Sequence, residues 1–484
     1  MYVYTEEEIH AADTRAAENG LSGNALMETA GRSLFQSIRP LLKKDERILI
    51  LAGKGNNGGD GVVLARYLKM NGFTVHLVFP FGLPQTKTSQ EHFSYYMSLG
   101  FSYETEIDRS LDYFVIIDSL LGAGARLPLK SEYRMLLQWC NKQRAVRIAI
   151  DMPTGVLANT GKVDEVAFQA DYTFSLHGFK RSAFLLPSAK YYGKTDALDI
   201  GLPANSQWKI WTEDDVRATL SRRDPFSHKG TFGTGLLFAG TDEMPGCALL
   251  AGLGAMRMGI GKLKIATTPR VQNAISHGLP EATFWLNGLE QCAKGDRPNG
   301  IHAIAIGPGL TDEKNVEQAL EHLWTTDIPL ILDAGALLKQ SFPHRKAPVI
   351  ITPHPGEFSR LTGISVPEIQ QNRFALASQF AVENQVIVVL KGTYTAIAYP
   401  DGSGVINPTG NPALAKGGSG DTLTGMILAL AATESNIKHA VANAVFIHGL
   451  CADEFVNKND VRTMVASDIT DYLGDVLQRI LKNE

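Results

Sequence analysis

Lys416-Gly417-Gly418-Ser419-Gly420-Asp421, running into Thr422-Leu423-Thr424-Gly425, is a glycine-rich turn feeding a helix. Three glycines and a serine leave little side chain in the way, and an apolar helical run, residues 422–431, starts directly after them. Such a turn aims several backbone N–H groups at one point, with the positive end of the helix dipole behind them. That point suits a phosphate. Asp421 sits at the same place, and a carboxylate beside an anion hole makes sense if it takes a proton from a hydroxyl while the N–H groups hold the developing charge. The competing reading is an ordinary N-cap aspartate with glycines for the turn.

The sequence before this stretch alternates strands and helices. Residues 235–239 read as a strand ending at Gly240, and Pro245-Gly246-Cys247 opens a helix of small residues that can pack closely on a sheet. Further strands run over residues 262–266, 302–306, 329–333, 349–352 and 386–390. Each finishes in glycine or a polar group: Gly307-Pro308-Gly309, Asp333-Ala334-Gly335, Pro353-His354-Pro355-Gly356-Glu357, and Lys391-Gly392-Thr393-Tyr394-Thr395. That order argues an α/β layered domain. No GxxxxGK[ST] occurs, so nucleotide phosphates would meet the 417–420 turn and Lys391.

The first half has the same grammar. Residues 11–38 read as helix with a break near Asn19-Gly20 and Gly23-Asn24, and residues 47–51 form a buried-type strand. Gly53-Lys54-Gly55-Asn56-Asn57-Gly58-Gly59-Asp60-Gly61 then reads as a loop, with helix resuming at Val62. Gly53, Gly55 and Gly58 satisfy GxGxxG, but the next strand, residues 75–79, ends in Pro80-Phe81-Gly82. The acidic residue that would hold ribose hydroxyls in an ordinary NAD dehydrogenase is missing there.

Two further strands end in aspartate, at Asp118 and at Asp151, the latter followed by Met152-Pro153-Thr154-Gly155. Ligands of open parallel sheets bind at the carboxyl ends of strands, so Asn57, Asp118, Asp151 and Thr154 are expected to converge. Asn57, Asp118 and Thr154 supply oxygens suited to a hard cation, which leaves Asp151 as a titratable group. A hydrogen-bond network without metal is the alternative.

At 484 residues the chain exceeds one ordinary core, so two domains are expected, with a boundary near residue 212. Lys+Arg 46 against Asp+Glu 50 gives no basic excess for nucleic acid. Cys140, Cys247, Cys292 and Cys451 are far apart, so neither a zinc site nor a disulfide framework is implied. The acidic start reads as no signal peptide, and no apolar run reaches membrane-spanning length, which makes the cytoplasm the default.

Taken together, Asn56-Asn57-Gly58-Gly59-Asp60-Gly61, Gly122-Ala123-Gly124 and Asp151-Met152-Pro153-Thr154-Gly155 resemble the NAD(P)H-hydrate epimerase family of YjeF N-terminal type. Ser227-His228-Lys229-Gly230, Gly307-Pro308-Gly309, Thr352-Pro353-His354-Pro355-Gly356-Glu357 and Gly417-Gly418-Ser419-Gly420-Asp421 resemble the ADP-dependent NAD(P)H-hydrate dehydratase family. The resemblance covers almost the whole chain. It implies a Rossmann-like parallel-sheet domain over residues 1–212 and a ribokinase-like α/β domain over residues 213–484.

It also implies roles. Asn56, Asn57, Gly58, Gly59 and Asp60, with Gly122, Ala123, Gly124, Ala125, Arg126, Leu127 and Pro128, match hydrate-binding loops. Asn57, Asp118 and Thr154 match K⁺ ligands, and Asp151 matches a catalytic acid/base that also contacts the hydrate. In the second domain Cys247, Gly309, His354 and Asp421 match hydrate contacts, with Asp421 catalytic. Lys391, Gly392, Thr393, Tyr394, Thr395 and Gly420 match the adenine-nucleotide site, where ADP is accompanied by Mg²⁺. The expected partners are NADHX or NADPHX and ADP, with no nucleic acid or membrane, in a homo-oligomer. The sequence departs from the pattern at Gly335, where a second acid is frequent, at Cys247, where alanine is usual, and at Lys416, a candidate extra phosphate contact. The rival reading is a ribokinase-like small-molecule kinase carrying a non-catalytic binding domain, whose turn and Asp421 would look the same.

Overall fold

A computed structural model describes residues 1–482. The chain forms two compact units, residues 1–209 with 370–372, and residues 210–369 with 373–484.

The first unit is built on six strands in the order Thr74–Val78, Arg47–Ala52, Val115–Ser119, Val146–Ile150, Tyr172–Leu176, Lys194–Leu198, all parallel. Side chains alternate across a strand, and here both faces are buried, so the central strands read as continuous apolar runs. Ile48 and Ile50 enter the core on one face, beneath the helices Gly23–Ile38 and Asn56–Met70. Leu49 and Leu51 enter the other, with Leu136, Leu137 and Cys140 of the helix Ser131–Lys142. Parallel pairing puts the carboxyl ends of Arg47–Ala52, Val115–Ser119 and Val146–Ile150 on one edge, where the glycine-rich stretch, Asp118 and Asp151 meet.

In the second unit seven strands run parallel in the order Thr283–Leu286, Lys262–Thr267, Thr234–Phe238, Ala303–Ile306, Leu330–Leu332, Val349–Ile351, Ile387–Leu390. Thr395–Ala398 and Gly404–Asn407 extend that sheet antiparallel. The small-residue helix Pro245–Arg257 presses against the helix Ser419–Thr433 as well as on the sheet. A Cβ at Gly425 would lie 1.9 Å from the Ala251 carbonyl oxygen, and one at Gly254 2.3 Å from that of Thr422. The two backbones therefore meet only because both positions are glycine.

Both glycine-rich stretches differ from the expected loops in one respect. The helix begins at Asn56, so Asn56–Gly61 are its opening turns, and in the second unit it begins at Ser419. Glycine lowers helix propensity by only about 1 kcal/mol per residue, and packing on the sheet outweighs that. The polar stretch after residue 204 is also more ordered than its composition suggests. Trp208 and Trp211 are buried, and a Thr212–Asp215 capping box starts the helix Glu213–Thr219. Among the described residues no helix is long and apolar enough to cross a membrane.

Candidate active sites

In the first unit a cavity of about 710 Å³ lies at the carboxyl edge of the sheet. Its walls include Asn56, Asn57, Asp60, Gly122 to Ala125, Asp151 and Lys180. Of the expected hydrate-binding positions, Gly58 and Gly59 are buried behind this surface. A Cβ at Gly58 would lie 1.9 Å from the Gly53 carbonyl oxygen, so this glycine serves close packing. Arg126, Leu127 and Pro128 also stand apart from the cavity, because the loop turns outward after Ala125; Arg126 is exposed.

Asp151 is the first residue beyond the strand Val146–Ile150 and takes a left-handed backbone, φ 69°. A non-glycine residue there costs free energy that the surroundings must offset. They do so through contacts on every side. Asp151 N–H donates to Phe174 O at 2.8 Å, Ser175 Oγ donates to Asp151 O at 2.8 Å, and Leu176 N–H donates to Oδ1 at 3.2 Å. Lys180 Nζ is ion-paired with the same Oδ1 and donates to Leu176 O at 2.9 Å and Gly178 O at 3.2 Å.

Asp118 is fully buried and accepts from Thr154 N–H and Thr154 Oγ1, each at 2.8 Å. Burial outweighs those bonds and pushes its carboxyl up to about 6. Asn57 is buried too, and neither its Oδ1 nor its Nδ2 has a hydrogen-bond partner. An orphaned buried amide costs free energy unless a ligand completes it. Asp60 is pushed well above the carboxylate range by burial first, then by Asp151 and Asp13.

In the second unit Gly418, at φ 93°, supplies the left-handed turn that opens the helix Ser419–Thr433. No side chain caps that helix, which leaves its first amides for an anion. The turn is held from below. Ser419 Oγ donates to Leu414 O at 2.9 Å and Lys416 O at 3.0 Å. His448 is pushed down to about 4 by burial, so it is neutral, and its Nε2 sits 2.9 Å from Ser419 O, to which it donates. Lys416, the candidate phosphate contact, points its ammonium at the carbonyls of Arg462 (2.6 Å) and Met464. Its charge is spent on tying down that loop.

Asp421 stands in the first helical turn. Burial pushes its carboxyl up to about 6, with the neighbouring Asp333 acting the same way, while the nearby Cys247 thiol and the Lys391 charge act against them. Cys247 also touches the Gly309 turn, where a Cβ would lie 2.9 Å from Cys247 Cβ. A Cβ at Gly420 would lie 3.3 Å from Lys391 Nζ, so the glycine turn and Lys391 face each other. His354 caps the helix Pro355–Thr362: its Nδ1 accepts from Gly356 N–H at 3.0 Å and Glu357 N–H at 3.2 Å. Gly392 and Thr393 are exposed, whereas Thr395 is buried and its Oγ1 donates to Gly392 O at 3.2 Å, closing the Lys391–Thr395 loop.

Two residues that support this site carried no assigned role in the sequence. Asp333 accepts from Lys391 Nζ (3.0 Å), Thr352 Oγ1 (2.7 Å) and Thr424 Oγ1 (2.8 Å). It is a strand-end aspartate, the same signal that marked Asp118 and Asp151. Arg373, 1% exposed, donates to the carbonyls of Leu390 (3.1 Å), Lys391 (2.8 Å) and Tyr394 (3.0 Å). Nothing in local sequence marks an arginine inside the helix Val366–Asn384 as a ligand of a distant loop.

Two family models match this chain: NAD(P)H-hydrate dehydratase over residues 235–474, and YjeF-related protein N-terminus over residues 23–182. A bifunctional NAD(P)H-hydrate repair enzyme of Moorella thermoacetica is 32% identical over 99% of this chain and 97% of its own. The chain belongs to the bifunctional NAD(P)H-hydrate repair enzyme family. The two families expected from the motifs are thus the ones found, in the expected order. The dehydratase part has a nearer relative, the ADP-dependent (S)-NAD(P)H-hydrate dehydratase of Bacillus subtilis, 53% identical over 56% of this chain and 98% of that protein. A crystal structure of the Bacillus subtilis ADP/ATP-dependent enzyme, co-crystallized with ATP and Mg²⁺, superposes with TM-score 0.55 at 52% identity, covering 56% of this chain and 98% of that one. For a repair enzyme of this family, the cavity belongs to the YjeF-type part and the Gly418–Asp421 turn to the dehydratase part.

Proposed function

We propose that the chain repairs nicotinamide cofactors hydrated at C6. The first unit interconverts the R and S epimers, and the second dehydrates the S epimer at the expense of ADP. The observation that carries the second half is the pairing of an uncapped helix N-terminus with a carboxyl poised at about 6 in its first turn. C6 of the hydrate bears a hydroxyl beside the ring nitrogen. Hydroxide leaves poorly and phosphate leaves well.

In this reading Asp421 takes the hydroxyl proton as the oxygen attacks the terminal phosphoryl of ADP, and AMP departs. The Ser419, Gly420 and Asp421 amides, with Lys391, hold the charge on the transferring group. The ring-nitrogen lone pair then expels phosphate, and loss of the C5 proton restores the reduced nicotinamide. Lys391 to Thr395 border the nucleotide, while Cys247, Gly309 and His354 border the hydrate. Mg²⁺ with the nucleotide would neutralise phosphate charge. Its hard-oxygen preference fits Glu357 and Asp333, the carboxylates beside Lys391.

In the first unit Asp151 is the acid/base at C6. The Asn57 Oδ1 that lacks a partner, the Asp118 carboxylate and the Thr154 hydroxyl form an oxygen-only donor set that fits K⁺. K⁺ there would supply fixed positive charge and keep Asp118 ionised.

The deciding experiment supplies NADH hydrate with ADP, ATP or no nucleotide and follows recovery of the reduced-nicotinamide absorbance. Recovery with AMP and phosphate as products supports the reading. A stable phosphorylated product would instead identify a kinase, and no turnover of either kind rejects both.

A further inference from the structure

Epimerisation at C6 has a stereochemical demand that one carboxyl meets poorly. The hydroxyl leaves from one face of the ring and returns to the other. Proton transfer requires hydrogen-bond reach of the moving oxygen. A single side chain serves both faces only if the substrate turns over inside the cavity. Two carboxyls from different elements avoid that.

We propose that Asp60 is a second catalytic acid/base of the first unit, serving the ring face opposite to the one served by Asp151. This deepens the epimerase reading and rests on it. Asp60 comes from the second turn of the helix Asn56–Met70, whereas Asp151 follows the strand Val146–Ile150, and both line the same cavity. Asp60 is only 8% exposed, and among the described residues its carboxyl has no hydrogen-bond partner. A buried carboxyl aimed into a cavity without a donor is costly as an anion and serviceable as an acid. Asp151, in contrast, is paired with Lys180. The two environments differ in geometry as well as charge: Asp60 is buried with two neighbouring carboxylates and no donor, whereas Asp151 Oδ1 is met by the Lys180 ammonium. Asp13 and His10 of the helix Glu6–Glu18 complete the charged lining.

The step balances without a co-reactant. The C6–O bond breaks with its electron pair going to oxygen, which takes the Asp60 proton and leaves as water. The ring-nitrogen lone pair forms the C6=N1 double bond. Water adds to C6 from the other face, the double-bond pair returns to nitrogen, and the surplus proton passes to Asp151. The reverse direction uses the two groups in exchanged roles.

The test uses the full chain in heavy-oxygen water, starting from each pure epimer without nucleotide. The wild type should epimerise and label both epimers. Asp60→Asn, which matches the shape of the protonated carboxyl, should lose epimerisation by about 100-fold or more. It should still exchange the oxygen of one epimer, on the face Asp151 serves, and Asp151→Asn should label only the other epimer. Asp60→Glu, which retains a carboxyl, should recover part of the epimerisation, as a packing or binding role would not require. An unchanged denaturant-unfolding transition of the first unit in each variant reports that this unit is folded, and ADP-dependent turnover of the S epimer reports the second unit. Epimerisation by Asp60→Asn within tenfold of wild type overturns the proposal, as does labelling of neither epimer or of both alike. If the wild type itself does not epimerise above the buffer rate, the epimerase reading fails instead.

Discussion

Lys391 Nζ lies 3.0 Å from Asp333 Oδ1, deep beside the turn that carries Asp421. Burial pulls the lysine pKa down, but Asp333 and then Glu357 more than offset it, so the ammonium stays charged where ADP phosphates would lie. Thr352 and Thr424 occupy further lone pairs of Asp333, which fixes its orientation. Asp333→Ala should therefore cost about 3 kcal/mol, the order expected when one partner of a buried ion pair is removed. Denaturant unfolding of the second unit measures this. The same variant should lose ADP-dependent dehydration while epimerisation in the first unit continues.

Arg373 is predicted to act on nucleotide binding without touching it. Its guanidinium holds three carbonyls of the segment 390–394, and burial alone pulls its pKa down to about 10, so it remains charged at neutral pH. Arg373→Met leaves those carbonyls without donors, at about 1–3 kcal/mol each in the worst case. The expected result is an ADP KM raised by about tenfold or more with a smaller change in kcat, partly restored by Arg373→Lys. Equal loss in kcat with an unchanged KM would contradict it.

How far these sites were readable follows from where their signals lie. The strand-to-helix turns, the aspartates ending strands and the glycines are local features, and Asn57, Asp118, Asp151 and Asp421 are candidates on that ground. The two-unit α/β architecture followed from the alternation of apolar runs and helical periods. The helices start at Asn56 and Ser419, earlier than local propensity places them, because propensity counts glycine as loop whereas sheet packing overrides it. The Thr5–Glu8 capping box that starts the helix Glu6–Glu18, which brings Asp13 to the cavity, is a signal legible in the sequence itself. Arg373 and His448 act across the fold on backbone carbonyls, and Lys180 pairs with Asp151 from another element, relations that no sequence pattern identifies.

If K⁺ is held by Asn57, Asp118 and Thr154 as proposed, Asp118 sets a pH limit on its use. Its raised pKa of about 6 means that protons compete with the cation as pH falls through that value. The apparent K⁺ affinity, read from epimerisation rate against KCl, should weaken about tenfold per unit below the pKa and level off above it. Asn57→Ala should weaken K⁺ at every pH, since it removes the carbonyl that lacks a partner. A K⁺ response indifferent to both changes would place the ion elsewhere.

Cys247 gives the last prediction, because alanine removes one interaction and little else. The thiol is pushed up to about 12, mainly by burial, so it is neutral beside the Asp421 carboxyl, whose pKa it lowers. The polar thiol favours ionised Asp421, so its loss raises the aspartate pKa from its value of about 6. In the proposed mechanism dehydration uses ionised Asp421, so the rate is expected above that pKa and lost as pH falls through it. Cys247→Ala should shift the acidic limb of kcat/KM upward while the plateau at alkaline pH is nearly preserved. Asp421→Asn should lower the plateau itself by at least about 100-fold. A downward shift in Cys247→Ala would mean that the thiol opposes the base, and an Asp421→Asn plateau near wild type would remove Asp421 from the chemistry.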